Sequence, residues 1–155
     1  MGEVKKGEIQ IASYVSVNDV GRVINPLIVR GQLDGGAVQG MGQAFAEAMV
    51  YDRDSGQLLT GSLSDYAAPR ADAMACQFVT EMDESTPCKN NPLGVKGVGE
   101  LGTIGATPAV VNAVIDALDA AGLGAAAESI QMPVTAERVW RALKRREFDA
   151  SPYRG

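Results

Sequence analysis

The 155-residue chain has no histidine, two cysteines and one tryptophan. Without histidine it cannot assemble a Ser-His-Asp or Cys-His catalytic unit, or a histidine-ligated metal site, from its own residues. Acid or base chemistry is left to Asp, Glu, Lys, Tyr or Cys. Cys76 and Cys88 fit neither a CxxC redox site nor a four-ligand zinc site, so no metal-ligating residues are assigned and a disulfide scaffold is not expected. Basic runs are also missing. With a formal net charge of -5, the chain carries no electrostatic footprint for nucleic acid or for an anionic membrane. The first ten residues hold Glu3, Lys5, Lys6 and Glu8 and lack the apolar core of a secretory signal, which makes a cytoplasmic location the expectation. The longest apolar stretch, around 109–121, is broken by Asn112, Asp116 and Asp119 and is not expected to span a bilayer.

What the chain does have is 46% hydrophobic residues and 18 glycines. A chain of about 150 residues can bury roughly 68 to 70% of its unfolded surface, enough to fold as one domain. The β-branched and aromatic residues Ile9, Ile11, Tyr14, Val15 and Val17 predict a strand between Glu8 and Val17. Turn residues follow, and Asn25-Pro26 predicts a helix starting near Pro26 and continuing to about Met49, unusual for the five glycines 31, 35, 36, 40 and 42 inside it. A hairpin-like turn is expected at 52–56 and a second strand at Gln77–Met82. The glycine- and proline-rich stretch from Asp83 to Gly105 reads as a long functional loop. Thr107-Pro108 is expected to open a helix with Val110, Val111, Val114, Ile115 and Leu118 on its apolar face, ending near Gly122. A last helix, capped by Thr135, places Val139, Trp140 and Leu143 in the core and Lys144, Arg145 and Arg146 near its end. The tail from Phe148 to Gly155 reads as loosely held. Together these elements predict a single α+β domain over 1–155, with a glycine-rich central helix, a mixed or antiparallel sheet and two further helices.

Two features bear on chemistry. Gln32, Gln39 and Gln43 are spaced by seven and four residues, which lines their amides along one face of the glycine-rich helix. The spacing favours tight helix packing with solvated glutamines. The second reading is a backbone left bare for close approach, with amides offered to a heterocycle or a phosphate. Gly97, Gly99 and Gly102 formally match GxGxxG, but no strand precedes them and no βαβ pattern surrounds them, so a dinucleotide site is not expected. What remains there is Glu100, one carboxylate between glycines, which in isolation reads as a solvated surface group. Lys96 reads as a surface lysine, and Asp19 and Asp65 as turn residues that accept from backbone amides.

Four ordered blocks carry more weight than any of these alone: 18–26 (NDVGRVINP), Gly31-Gln32 through Gln39-Gly40-Met41-Gly42, Lys96-Gly97-Val98-Gly99-Glu100, and 132–140 (MPVTAERVW). In order and spacing they resemble the C-terminal segment of the large, molybdopterin-binding subunit of the xanthine dehydrogenase, aldehyde oxidase and carbon monoxide dehydrogenase family. The resemblance runs from about Gly7 to Leu143. It implies that Glu100 is the active-site base, that Gln32 contacts the pterin, and, more weakly, that Gln39, Gly40, Gly97 and Gly99 border the cofactor. It further implies a molybdenum-molybdopterin cofactor, in bacterial members a cytosine dinucleotide form, with iron-sulfur clusters and FAD on partner subunits or domains. The reaction implied is oxidation of an aldehyde, an N-heterocycle or carbon monoxide with oxygen taken from water. Leu101-Gly102-Thr103 stands where the animal xanthine dehydrogenases carry a Pro-Pro pair after the base. Because the family's subunit is several times longer, the chain is expected to need the upstream part of that subunit, to be inactive alone and to self-associate when isolated. A non-catalytic binding or assembly module that keeps the fold is the alternative.

Overall fold

A computed structural model describes residues 7–71 and 76–149. In chain order the elements are β1 (Ser13–Asp19), α1 (Pro26–Phe45), β2 (Gln77–Asp83), α2 (Leu101–Ala120), α3 (Ala125–Glu128) and α4 (Ala136–Asp149). The fold is α+β. The chain divides into two compact units, one of residues 11–42 and 69–108, the other of residues 1–10, 43–68 and 109–155.

In the first unit, β1 pairs with β2 from Ser13↔Gln77 to Asp19↔Asp83, and the two strands run parallel. This differs from the mixed or antiparallel sheet expected from sequence. Strand composition sets a period but no direction, whereas a long connection containing a helix is what parallel strands require. Tyr14 and Phe78 face each other across the pair with ring centroids 5.4 Å apart. Burial there pushes the Tyr14 hydroxyl pKa upward. The predicted strand is displaced: β1 begins at Ser13, where β2 supplies partners, and not at Glu8.

Helix α1 starts as read, with Pro26 first and the Asn25 side-chain oxygen accepting from the Ile28 N–H at 3.2 Å. Leu33, Ala37 and Met41 are its buried hydrophobic residues in this unit, with Val20 and Ala106 also buried. Helix α2 departs from expectation because it begins at Leu101, so Pro108 lies inside it and not at its start. Gly102 and Gly105 lower the intrinsic helix propensity of the first turns, and packing against α1 overrides that. By length and composition α2 is apolar enough to cross a membrane, contrary to the reading of 109–121. Its Ala106, Val110, Val114 and Leu118 are nevertheless buried within the protein, as in a packed helix.

In the second unit, Val114, Leu118, Leu123, Ala127, Val134 and Val139 form the core, with Phe45, Ile115, Ile130 and Leu143 packed against it. Val134 donates to the Ala44 carbonyl at 2.6 Å, and the preceding Met132-Pro133 bond is cis. Thr135 caps α4 as expected, its hydroxyl accepting from the Arg138 N–H at 3.3 Å. Trp140 is 40% exposed while Val139 is 4% exposed, so the tryptophan is not core. Consecutive helical residues point about 100° apart and cannot share one buried stripe. The turn at 52–56 is a hairpin turn, flanked by a Tyr51↔Leu58 bridge. Of the expected tail, Phe148 and Asp149 close α4. Residues 150–155, and at the other end Glu3, Lys5 and Lys6, lie outside the described residues.

Candidate functional site

Apart from Gln43 and Asp65, the residues singled out for chemistry fall in the first unit, most of them where α1 meets the start of α2. The contacts step along both helices in the same direction. Gln32 reaches Gly99, Gly36 meets Gly102 and Thr103, and Gly40 meets Ala106 and Thr107. The two helices therefore lie parallel here, with the α2 N-terminus beside the middle of α1.

Missing side chains make the approach feasible. A Cβ on Gly40 would stand 2.8 Å from the Ala106 Cβ and 3.1 Å from the Thr103 carbonyl oxygen, and one on Gly102 would stand 2.3 Å from the Leu33 carbonyl oxygen. Two hydroxyls then tie the helices together. Thr107 donates to the Gly40 carbonyl at 3.0 Å and Thr103 to the Gly36 carbonyl at 2.9 Å. These threonines had no signal in the sequence pattern, since a hydroxyl in an apolar helix reads as neutral. The Thr103 Oγ1 also stands 3.3 Å from the Gln39 Oε1.

The packing reading thus accounts for Gly36, Gly40 and Gly102. Gly40, expected to border the cofactor, is buried and serves the helix crossing. The other reading keeps its own glycines. Gly31, Gly35, Gly97 and Gly99 are exposed, and a Cβ at any of them would meet nothing within 4 Å. Close packing within this chain does not require those four to be glycine.

Glu100 immediately precedes α2, and its carbonyl accepts from the Thr103 and Ile104 N–H groups at 3.1 Å each. It is therefore the N-cap residue, a position where Ser, Thr, Asp or Asn is preferred because a short side chain can reach back to the helix amides. The Glu100 side chain is exposed, and among the described residues no hydrogen bond or ion pair holds its carboxylate. Beside it, Gln32 Nε2 donates to the Gly99 carbonyl at 3.0 Å. Gln32, Gln39, Gly97, Gly99 and Glu100 are all exposed on this one unit, Gln32 and Gln39 through their side-chain amides.

Upstream, the loop is fastened to the end of β1. Arg22 donates to Gly94 at 2.9 Å, Lys96 to the Val20 carbonyl at 3.1 Å, and Gly21 bridges Val95. Lys96 pairs with Asp19 at 2.6 Å and not with Glu100, while Asp19 also accepts from the Gly21 N–H at 3.1 Å, as its turn position implied. Gly21 has φ +60, and a Cβ there would stand 2.5 Å from the Gly94 carbonyl oxygen, so this tight turn needs glycine.

The hydrogen bond from Lys96, then that from Gly21, hold the Asp19 carboxyl below the ordinary range. A carboxyl depressed in the folded state stabilises above its unfolded value of about 3.9, and that contribution is lost as pH falls through the lower folded value. Because the pair is exposed, denaturant midpoints of the parent and Asp19→Asn should differ only slightly at pH 7 and converge in acid. A difference that persists or widens on acidification would contradict this.

The comparisons with known proteins bear on the same residues. A molybdopterin cofactor-binding domain family matches residues 3–75. The large subunit of nicotine 6-hydroxylase from Paenarthrobacter nicotinovorans is 41% identical over 138 residues, which are 89% of this chain and 16% of that subunit. Among solved structures, a reconstituted CO dehydrogenase from Oligotropha carboxidovorans matches with TM-score 0.82 and 30% identity, over 96% of this chain and 18% of the other. This chain belongs to the molybdopterin-binding family of xanthine dehydrogenase, aldehyde oxidase and carbon monoxide dehydrogenase. Quinoline 2-oxidoreductase from Pseudomonas putida 86 also matches, with TM-score 0.73 and 40% identity over 86% of this chain and 16% of that one. The chain thus spans about a sixth of the length of the molybdenum hydroxylases it matches.

The residues present fit such a cofactor. Among the described residues no group of three or more His, Cys, Asp or Glu could hold a metal ion. The exposed amides of Gln32 and Gln39 can both donate to and accept from a heterocycle, and the bare backbone at Gly97 and Gly99 allows close approach.

Proposed function

We propose that this chain supplies the active-site base and part of the cofactor wall of a bacterial molybdenum hydroxylase. The observation that carries the reading is the unpaired Glu100 carboxylate at a helix N-cap, beside a glutamine amide and flanked by glycines with open space around them. Stability alone would favour a shorter capping side chain there. In the overall reaction a substrate C–H becomes C–OH, the oxygen comes from water, and two electrons and two protons leave. The molybdenum pterin, in a cytosine dinucleotide form, supplies the two-electron chemistry when bound.

The chain's own residues do the rest. A Glu100 carboxylate oxygen takes a proton from the water-derived nucleophile and passes it to solvent. Gln32 fixes the peptide just before Glu100 through the Gly99 carbonyl, and its remaining amide capacity would be available to hold the pterin. Gln39 adds a second amide two turns further along the same face of α1. Gly97 and Gly99 keep the loop free of side chains where the cofactor approaches, and the Gly40 crossing sets the distance between the two helices that carry these groups.

Relatives named for nicotine and quinoline, at 41% and 40% identity, favour an N-heterocycle as substrate over an aldehyde or carbon monoxide. The upstream part of the large subunit would complete the cofactor enclosure, and iron-sulfur and flavin subunits would carry the electrons away. A cofactor site with most of its walls absent binds poorly. The purified 155-residue chain is therefore expected to show no turnover and to self-associate through apolar faces the missing segments would cover. Co-expression with the upstream segment and partner subunits should restore both pterin binding and substrate oxidation. Turnover by the purified chain, or an assembled complex without pterin, would refute the proposal.

A further inference from the structure

The segment that presents Glu100 is fastened at its two ends. At the upstream end Lys96 is held by its N–H on the Val20 carbonyl and by its ammonium on Asp19, with side chains 32% and 44% exposed respectively. At the downstream end Gln32 holds the Gly99 carbonyl and α2 begins at Leu101. Between these anchors lie Gly97, with nothing within 4 Å of a would-be Cβ, and Val98, whose carbonyl accepts from the Leu101 N–H at 3.4 Å.

Anchors on both sides of the short Gly97-Val98 stretch restrict the directions in which Glu100 can leave the chain. An exposed ion pair contributes little to global stability. Yet this pair joins residues 77 positions apart, the end of β1 and the loop, at 2.6 Å. Asp19 is itself fixed by the Gly21 N–H, and that turn accepts no side chain at Gly21. The ammonium is thus set against a rigid feature of the fold, which suits positioning better than stabilisation.

We propose that Asp19 and Lys96 form a clasp that positions Glu100, the two being positioning residues and not catalytic ones. The inference rests on the reading of Glu100 as base. Misplacing a reacting group by about 1 Å can cost up to roughly 100-fold in rate. In the assembled enzyme, Lys96→Met should therefore lower kcat by about 10-fold or more, with KM and pterin content close to parental. Lys96→Arg should restore most of the loss, since a guanidinium can still reach Asp19.

The readout independent of turnover is amide hydrogen exchange over residues 97–104. It should be faster in Lys96→Met and in the near-isosteric Asp19→Asn, and near parental in Lys96→Arg. Unchanged exchange in both disrupting variants, or parental kcat in Lys96→Met, overturns the clasp. Full activity in Glu100→Gln would instead overturn the base assignment, so the two failures are distinguishable. Should Lys96→Met fail to assemble, the exchange measurement on Asp19→Asn decides.

Discussion

Glu100→Gln is expected to lower turnover of the assembled enzyme by about 100- to 10,000-fold while pterin content stays at the parental level. The substitution keeps the size of the side chain, exchanges one acceptor oxygen for an NH2 donor, and removes the negative charge together with the ability to accept a proton. Glu100 contributes its backbone carbonyl to the first turn of α2, and Gln contributes the same atom, so the helix start is preserved. Its side chain is exposed and makes no bond to the rest of the described chain, so no packing is lost. A steady-state assay with metal and pterin quantified on the same sample separates the cases. Reduced turnover with full cofactor assigns proton transfer to this carboxylate, and a parental rate removes that role.

The second large effect concerns the helix crossing and is one of stability. Gly102→Ala would place a Cβ 2.3 Å from the Leu33 carbonyl oxygen and 3.0 Å from the Ala37 nitrogen, both backbone atoms that cannot swing aside. Overpacking of this kind costs about 3 kcal/mol, and in a chain of this size that is a fall in Tm of roughly 6 to 12 °C. Gly35→Ala, in the same pair of helices, meets nothing within 4 Å. It should raise stability by roughly 0.5 to 1 kcal/mol, because alanine loses less backbone freedom in a helix. Thermal unfolding of the two variants therefore moves in opposite directions. If both rise together, the glycines act through helix propensity and not through the contact between α1 and α2.

These two predictions mark what was legible in the sequence. Asn25-Pro26 announced the start of α1 because capping chemistry is local, and Thr135 announced α4 for the same reason. Glu100 and Gln32 were picked out by the order of four motif blocks, and their adjacency through the Gly99 carbonyl is a fact of the fold. The start of α2 was misread at Pro108 because Gly102 and Gly105 look like loop residues. Only the facing surface of α1, bare at Gly36 and Gly40, explains why a helix forms there. The parallel sense of β1 and β2 was likewise invisible, since alternation in a strand is the same in either direction. The Asp19–Lys96 pair joins residues far apart in the chain, and no spacing rule connects them.

The most direct test of the central claim is the structure of the assembled complex with its pterin bound, read at one side chain. The Glu100 carboxylate is expected within about 3 Å of a ligand atom on the metal, or linked to it by one bridging water, with Gln32 still bonded to the Gly99 carbonyl. A Glu100 side chain turned to bulk solvent, remote from the pterin, would contradict it.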